Sequence, residues 1–205
     1  MYAGVRNPSA EEIPGIVQIK LDVTDSASVA AAAAACRDTT LLINNAGIAR
    51  IVPSMLEPEF IAVAKEIFET NYYGTVRLSQ AFAPILEANG GGAIINVLSD
   101  AVWLARPFLS AYSASKAAAW AYTNSLRVEL RDHSIMVQGL HVGFMDTEMT
   151  KGFDMQKTSP EIVVAQSLDG IIQGAEEVLA DAHTIALKAS LSGQQPQYLN
   201  PPEIV

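Results

Sequence analysis

The sequence predicts an α/β fold in which a doubly wound, mostly parallel sheet forms a single domain over residues 1–205. Its strand candidates are continuously apolar and rich in Val, Ile and Leu, which is typical of parallel strands covered on both faces. Longer segments with helical spacing alternate with these strands. The length suits one domain, and the chain contains neither an internal repeat nor an interdomain linker.

Five segments are candidates for strands. Segment 1–5 predicts the end of a strand, because Arg6, Asn7 and Pro8 turn the chain directly afterwards. The other candidates are the apolar runs 17–23, 41–44, 93–99 and 136–142. Because helical segments separate these strands, we expect them to pair in parallel.

Helical spacing of apolar residues predicts four helices. They cover residues 26–36, 59–89, 113–132 and 160–182. Asp25 or Ser26 can cap the first helix, and the glycines at 90–92 end the second. Segment 193–205 is polar and contains three prolines, so we expect an irregular tail.

Composition excludes several classes of function. Half of the residues are apolar (50%) and only 17% are charged, which excludes a disordered chain. The net charge of −9 disfavours nucleic-acid binding, because an acidic surface repels phosphate backbones. Cys36 is the only cysteine, so neither an internal disulfide nor a metal site is expected, and a reducing, cytoplasmic location follows. No run approaches the roughly 20 apolar residues of a membrane span.

The pair Tyr112 and Lys116 is the first candidate for chemistry. The two residues are four positions apart, and on a helix this spacing places both on one face. A free tyrosine has a pKa near 10 and is a poor acid or base at neutral pH, whereas a nearby cation favours the phenolate. Many surface helices carry this pair by chance, so its meaning depends on neighbouring residues.

Other polar residues lie where the predicted strands end. Ser99 ends segment 93–99, and Asn71 lies in the middle of a predicted helix, an unusual place for a residue that prefers caps. The remaining strand-end residues are Asp22, Val23, Asn45, Ala46 and Gly47. Open α/β sheets bind ligands at the carboxyl ends of their strands, so these residues predict a binding site.

These motifs together resemble the short-chain dehydrogenase/reductase family, over nearly the whole chain. The resemblance implies a Rossmann-like fold and an oxidoreductase that reduces carbonyls or oxidises alcohols with NADP(H). It implies that Tyr112 is the general acid and that Ser99 bonds the substrate oxygen. It further implies that Lys116 lowers the pKa of Tyr112 and holds the nicotinamide ribose, and that Asn71 anchors a water in the proton relay.

The resemblance also implies a dinucleotide site. Arg6 follows the position at which NAD-dependent members carry an acidic residue, and an arginine there favours the 2′-phosphate of NADP. The other implied cofactor contacts are Asp22, Val23, Asn45, Ala46, Gly47, Tyr112, Lys116, Gly143, Met145 and Thr147.

Three features depart from the family pattern, and the first is Val142-Gly143 in place of the family's Pro-Gly pair, which leaves this loop less fixed. The glycine-rich TGxxxGxG segment is absent from the sequence, so we expect an N-terminally truncated domain with weak or absent NADP(H) binding. The strand edges near Tyr2 and Leu41 would then pair with each other or with a partner chain. No final strand with Asp-Gly-Gly is present, so we expect the sheet to stop at segment 136–142.

The resemblance also suggests a substrate and an assembly. A small-to-medium apolar carbonyl or alcohol fits the residues expected to flank the site, which are Trp103, Leu104, Phe108, Phe144, Met149 and Phe153. The last three belong to the expected lid. The helices over 59–89 and 113–132 are apolar on more than one face, so a homodimer or homotetramer is expected.

Each site residue also has a plainer interpretation. Asn45 and its neighbours form a turn, Ser99 bonds locally, Asn71 is a satisfied buried amide, Asp22 caps a helix, and Arg6 is a solvated turn residue.

Two alternative functions also remain open. Ser113 and Lys116 form an S-x-x-K pair that suits an ester hydrolase, for which Ser99 is a second candidate nucleophile. The other alternative is a catalytically inactive fragment.

Overall fold

The computed structural model describes residues 1–10 and 12–201 and confirms an α/β fold with parallel strands. The strands of this part of the chain are Tyr2–Val5 (β1), Val17–Lys20 (β2), Leu41–Asn44 (β3), Gly92–Val97 (β4), Ile135–His141 (β5) and Glu177–Leu179 (β6). Its α-helices are Ser26–Ala35 (α1), Phe60–Phe68 (α2), Gly74–Ala88 (α3), Ser110–Glu129 (α4), Pro160–Ile172 (α5) and Ala182–Ser190 (α6).

The main sheet has the order β3-β4-β5-β6, and each neighbouring pair is parallel. Its interior strands β4 and β5 are almost completely buried, with Ile94 and Val137 opposite each other in register. This burial explains why both strands are continuously apolar in the sequence. The core beneath the sheet joins α1, α3 and α4 through Val29, Leu86 and Leu126.

The strands β1 and β2 form a separate parallel pair. The expectation that the edges near Tyr2 and Leu41 pair with each other is wrong, because the described residues contain no ladder between β1 and β3. A cavity of about 440 Å³ is lined by Tyr2 and Gly4 on one side and by Leu41 and Ile43 on the other. Leu41 and Ile43 are 36% and 47% exposed as a result.

The segment after β5 differs most from the predictions. The expected helix over 160–182 ends at Ile172, and Gly174 then adopts a positive φ of 73°, which a glycine tolerates and which stops a helix. The chain returns as β6 beside β5, so the expectation that the sheet stops at segment 136–142 is also wrong. Asp181 accepts a hydrogen bond from Thr184 N and begins α6.

The long helix expected over 59–89 is continuous but contains a π-helical turn, Glu69–Tyr73, between α2 and α3. Such turns often occur at functional sites. At its end, Gly74 lets α3 approach the loop after β2, because a Cβ at position 74 would lie 2.7 Å from Val23 Cγ2. Helix α4 begins at Ser110 rather than at residue 113, which places Tyr112 in its first turn.

Residues 193–201 form turns, as expected for the tail, whereas 202–205 lie outside the described residues. Within the described chain, no helix is long and apolar enough to cross a membrane. No group of three or more His, Cys, Asp or Glu side chains there is arranged to hold a metal ion.

Candidate active site

The predicted cofactor residues near the amino terminus converge on one cavity. It has a volume of about 790 Å³ and lies at the carboxyl ends of β1, β2 and β3. Its walls include Arg6, Asp22, Val23, Asn45, Ala46 and Gly47. The structure therefore brings together six residues that are up to 41 positions apart in the sequence.

The carboxylate of Asp22 is fixed by its own turn. Its Oδ1 accepts hydrogen bonds from Thr24 N at 2.9 Å and from Thr24 Oγ1 at 2.7 Å, which hold the pKa of Asp22 below its usual value. The cation of Arg6 lowers this pKa further. Asp25, not Asp22, caps α1, so the interpretation of Asp22 as a helix cap does not hold.

Asn71 lies in the π-helical turn and is 1% exposed. Its Nδ2 donates to Ile48 O and to Ser115 Oγ, both at 3.0 Å, while its Oδ1 accepts from Ile48 N at 2.8 Å. The side chain is therefore satisfied and joins the loop after β3 to α4. A Cβ at Gly47 would lie 3.5 Å from Asn71 Oδ1 and 3.6 Å from Lys116 Nζ, which places these two polar groups on the same side of that loop.

Ser99, Tyr112 and Lys116 meet where β4 ends and α4 begins. The Ser99 hydroxyl lies beside the Tyr112 phenol, and both line the same small cavity. Lys116 Nζ lies 5.8 Å from the centre of the Tyr112 ring and donates to Val97 O at 2.7 Å. The ammonium is thus buried beside the phenol and bound to the end of the strand that leads to Ser99.

Burial dominates the acid–base properties of this pair. It raises the pKa of Tyr112 to about 12, although the nearby Ser99 hydroxyl and the Arg106 cation oppose this shift. It also lowers the pKa of Lys116 to about 8. Desolvation of the phenol thus outweighs the charges around it, and the expected lowering of the Tyr112 pKa by Lys116 stays a prediction.

Asp100 and Arg106 were not among the predicted site residues. Both are buried, and Arg106 Nη2 donates to Asp100 Oδ2 at 2.8 Å. Ser99 Oγ donates to the other oxygen of Asp100, Oδ1, at 2.9 Å. The only sequence signal was the position of a carboxylate directly after Ser99, which by itself does not reveal a buried partner.

A second cavity of about 60 Å³ adjoins the phenol of Tyr112. Besides Ser99, Tyr112 and Gly143, its walls include Leu109, Phe144, Met149 and Phe153. Of the six residues expected to flank the site, Phe144, Met149 and Phe153 therefore line it. Trp103 and Leu104 do not, because both pack with Leu187 in a separate core cluster. The ring of Phe108 contacts the ring of Phe153, with centroids 6.2 Å apart.

Of the three residues expected at the nicotinamide end, one lines the small cavity and two do not. Gly143 lines the small cavity, and its N–H donates to Asp181 Oδ2 at 2.8 Å. Met145 pairs with Thr158 in a short bridge, and Thr147 caps the helical turn Glu148–Thr150. Met145 and Thr147 thus shape the loop that follows β5 rather than form the cavity wall.

The S-x-x-K pair is not assembled as a hydrolase would need. Ser113 Oγ is buried and has no hydrogen-bond partner among the described residues. Lys116 donates to Val97 O instead. A serine nucleophile needs a base within hydrogen-bond reach, and here the candidate base is bound elsewhere.

Comparisons with known proteins identify similar dehydrogenases and reductases. The family description short chain dehydrogenase matches residues 6–158. The chain is 36% identical over 141 residues to the NADPH-dependent 1-acyldihydroxyacetone phosphate reductase of Schizosaccharomyces pombe, covering 66% of this chain and 46% of that protein. It is 32% identical over 155 residues to galactitol 2-dehydrogenase (L-tagatose-forming) of Cereibacter sphaeroides, covering 72% of this chain and 60% of that protein.

A solved structure resembles most of the chain in fold. A short chain dehydrogenase from Burkholderia cenocepacia, in complex with NADP, is 38% identical and superimposes with a TM-score of 0.88. The match covers 94% of this chain and 81% of that one. By contrast, the chain spans about half the length of the first curated relatives that it matches, at 46%, 48% and 42%.

Proposed function

The chain belongs to the short-chain dehydrogenase family, and from this premise we propose that it is an NADP(H)-dependent oxidoreductase acting on a carbonyl or the corresponding alcohol. The observation that carries the proposal is the contact of Ser99 with Tyr112 beside the buried Lys116. A phenol, a hydroxyl and an ammonium at one end of a parallel sheet suit proton transfer to a substrate oxygen.

The residues around the 790 Å³ cavity suit the two ends of a dinucleotide, although no TGxxxGxG segment is present in the sequence to bind its pyrophosphate. Arg6 offers a guanidinium that can bind the 2′-phosphate of NADP in a bidentate way. Asp22 and Val23 would flank the adenine, while Asn45, Ala46 and Gly47 would line the path toward the nicotinamide. When bound, the cofactor supplies or accepts the hydride. The B. cenocepacia relative, which is in complex with NADP, supports this choice of cofactor.

The chain's own residues handle the proton. With a pKa of about 12, Tyr112 keeps its proton at neutral pH, so its Oη can donate to an oxygen that gains negative charge. Ser99 Oγ lies beside it and orients the same substrate oxygen. We therefore favour carbonyl reduction at neutral pH, whereas alcohol oxidation needs the phenolate and hence a higher pH.

The substrate wall supports a small-to-medium apolar group next to the carbonyl. Leu109, Phe144, Met149 and Phe153 surround the small cavity beside the phenol. Phe144 and Phe153 contact each other with ring centroids 5.3 Å apart. An apolar group of the substrate would pack against these two rings.

Substitution of the phenol tests this function. At millimolar NADPH, Tyr112→Phe is expected to lower kcat for carbonyl reduction about 10²–10⁴-fold, because it removes only the proton donor. The matched control is Tyr122→Phe, which removes a partly buried phenol from the same helix and should leave kcat unchanged. Equal rates in wild type and Tyr112→Phe would refute the role of Tyr112. Absence of reductase activity in the wild-type chain would favour the inactive-fragment alternative.

We also propose a homodimer or homotetramer. Ile61 on α2 and Val128 on α4 are 60% and 64% exposed, on the helices expected to form the interface. Sedimentation of the purified chain measures its mass directly. A monomer at micromolar concentration would contradict this proposal without affecting the assignment of the site.

A further inference from the structure

A buried ion pair spans the loop between the two proposed catalytic residues. Asp100, 2% exposed, directly follows Ser99. Arg106, 5% exposed, precedes the helical turn Pro107–Leu109 that leads into α4. The 2.8 Å contact between them ties the end of β4, which carries Ser99, to the start of α4, which carries Tyr112.

The same carboxylate fixes the Ser99 hydroxyl. Ser99 Oγ donates to Asp100 Oδ1 at 2.9 Å and accepts from Ala101 N at 3.1 Å. A hydroxyl has a single proton, so while Ser99 donates to Asp100 it cannot also donate to the Tyr112 phenol beside it. The direction in which the Ser99 proton points is therefore set by Asp100.

The charges of the pair also act on the phenol, in opposite directions. The carboxylate of Asp100 raises the pKa of Tyr112, and the guanidinium of Arg106 lowers it. Two histidines also lie near the carboxylate: His183 Nε2 is 3.5 Å from Asp100 Oδ2, and Asp100 raises the pKa of His141 slightly. Stability alone is a poor reason for this arrangement, because buried ion pairs repay little of their desolvation.

We propose that Asp100 and Arg106 are positioning residues that hold the Ser99 hydroxyl against Tyr112 and balance the charge around the phenol. The effect of Asp100 and Arg106 on turnover rests on the proposed function. Their effect on the phenol does not, because it is measurable without substrate or cofactor.

The charge balance is tested with 3,5-difluorotyrosine at position 112. Its free phenol titrates near neutral pH, so even after burial raises its pKa the titration stays within an accessible range and is followed by ¹⁹F NMR. Asp100→Asn leaves the Arg106 cation unpaired and is expected to lower the phenol pKa by about one unit. Arg106→Met leaves the carboxylate unpaired and is expected to raise it by about one unit. Arg127→Met is the matched control: Arg127 pairs with Glu176 at 3.6 Å and does not act on Tyr112, so no shift is expected.

Two double variants test the hydrogen bond and avoid leaving a single charge buried. Asp100→Asn/Arg106→Met keeps an oxygen that accepts the Ser99 proton, whereas Asp100→Leu/Arg106→Met does not. In the leucine variant Ser99 is free to donate to the phenolate, so the pKa of the fluorinated phenol should fall below that of the asparagine variant. In the unlabelled protein, kcat for reduction should fall about 10–100-fold in the leucine variant relative to the asparagine variant, with KM unchanged.

The two kinds of measurement separate this inference from the proposed function. Equal phenol pKa values in wild type and both single variants would overturn the inference, as would equal values in the two double variants. If the shifts occur as expected but the wild-type chain reduces no carbonyl, the pair is a positioning device and the proposed function fails. If turnover is normal and the pKa values do not move, the function stands and the inference fails.

Discussion

Replacing His141 with phenylalanine is expected to reduce the loss of stability that the protein suffers between pH 7 and pH 5. His141 lies in β5, is 0% exposed, and stacks on Trp103 with ring centroids 4.4 Å apart. Its Nδ1 lies 3.3 Å from Ser99 O, while its Nε2 faces Glu177 at 3.5 Å. Burial lowers the pKa of His141 from 6.5 to about 4, so the ring is neutral in the folded state.

The neighbouring charges agree with this direction. Glu177 by itself would favour a protonated ring, but Lys188 pairs with Glu177 and neutralises it. Lys188 and Arg127 lower the pKa of His141, and Asp100 opposes them only weakly, as the smallest of the contributions. The neutral ring is therefore the stable form inside the fold.

The sign and size of the effect follow from linkage between folding and proton binding. Below pH 6.5 the unfolded chain protonates this histidine and the folded chain does not, so stability is lost as the pH falls from 6.5 toward 4. A full shift is worth about 3 kcal/mol, at 1.36 kcal/mol per unit. Between pH 7 and pH 5 the loss comes to about 2 kcal/mol.

Urea unfolding of wild type and His141→Phe at pH 7 and pH 5, at one protein concentration, measures this difference. The change in unfolding free energy between the two pH values should be about 2 kcal/mol smaller in the variant. His133→Gln is the control, because the exposed His133 pairs with Glu87 and its pKa is raised. In His133→Gln the change in unfolding free energy between pH 7 and pH 5 should not become smaller than in wild type. The same pH dependence in wild type and His141→Phe would show that His141 does not stay neutral in the fold.

Two further predictions concern the cofactor. Arg6→Ala is expected to weaken NADPH binding by about 1.5–3 kcal/mol, the value of a charge-assisted hydrogen bond, and to leave NADH binding nearly unchanged. An equal loss of affinity for NADPH and NADH would show that Arg6 is only a turn residue. The 205-residue chain is expected to bind NADPH in the millimolar range or not at all, because its sequence contains no TGxxxGxG segment to bind the pyrophosphate. Micromolar affinity in calorimetry would contradict this expectation.

Local patterns were sufficient to predict much of the fold and the site. Apolar runs covered on both faces predicted β3, β4 and β5, and polar residues at strand ends predicted Ser99 and Asn45, because each pattern lies within a few neighbouring residues. Strand β6 has only three residues, all half-buried, and exists because Gly174 turns the chain back beside β5. Such a strand depends on its partner and leaves no apolar run to detect.

The residues that determine the acid–base properties of the candidate site were also harder to predict, because these properties depend on contacts made only in the folded chain. Tyr112 was identified by its spacing from Lys116, but the direction of its pKa shift depends on how deeply the fold buries it. Asp100 and Arg106 are six positions apart, and their contact requires the loop between them to fold back on itself. Spacing in the sequence therefore predicted which residues lie close together, whereas burial determines the direction of the Tyr112 pKa shift.

A second buried polar network shows how the fold keeps this site in register. Asn44 and Asn96 lie opposite each other in β3 and β4, and Asn44 Nδ2 donates to Asn96 Oδ1 at 2.8 Å. Asn44 Nδ2 also donates to Ser79 Oγ on α3, and Asn96 Nδ2 donates to Thr123 Oγ1 on α4. A slip of one residue between the strands would turn one amide to the opposite face and leave its partners buried and unsatisfied. Asn45 follows β3 directly and Ser99 lies two residues after β4. The network that fixes the register therefore also fixes the distance between the proposed cofactor and proton-transfer residues.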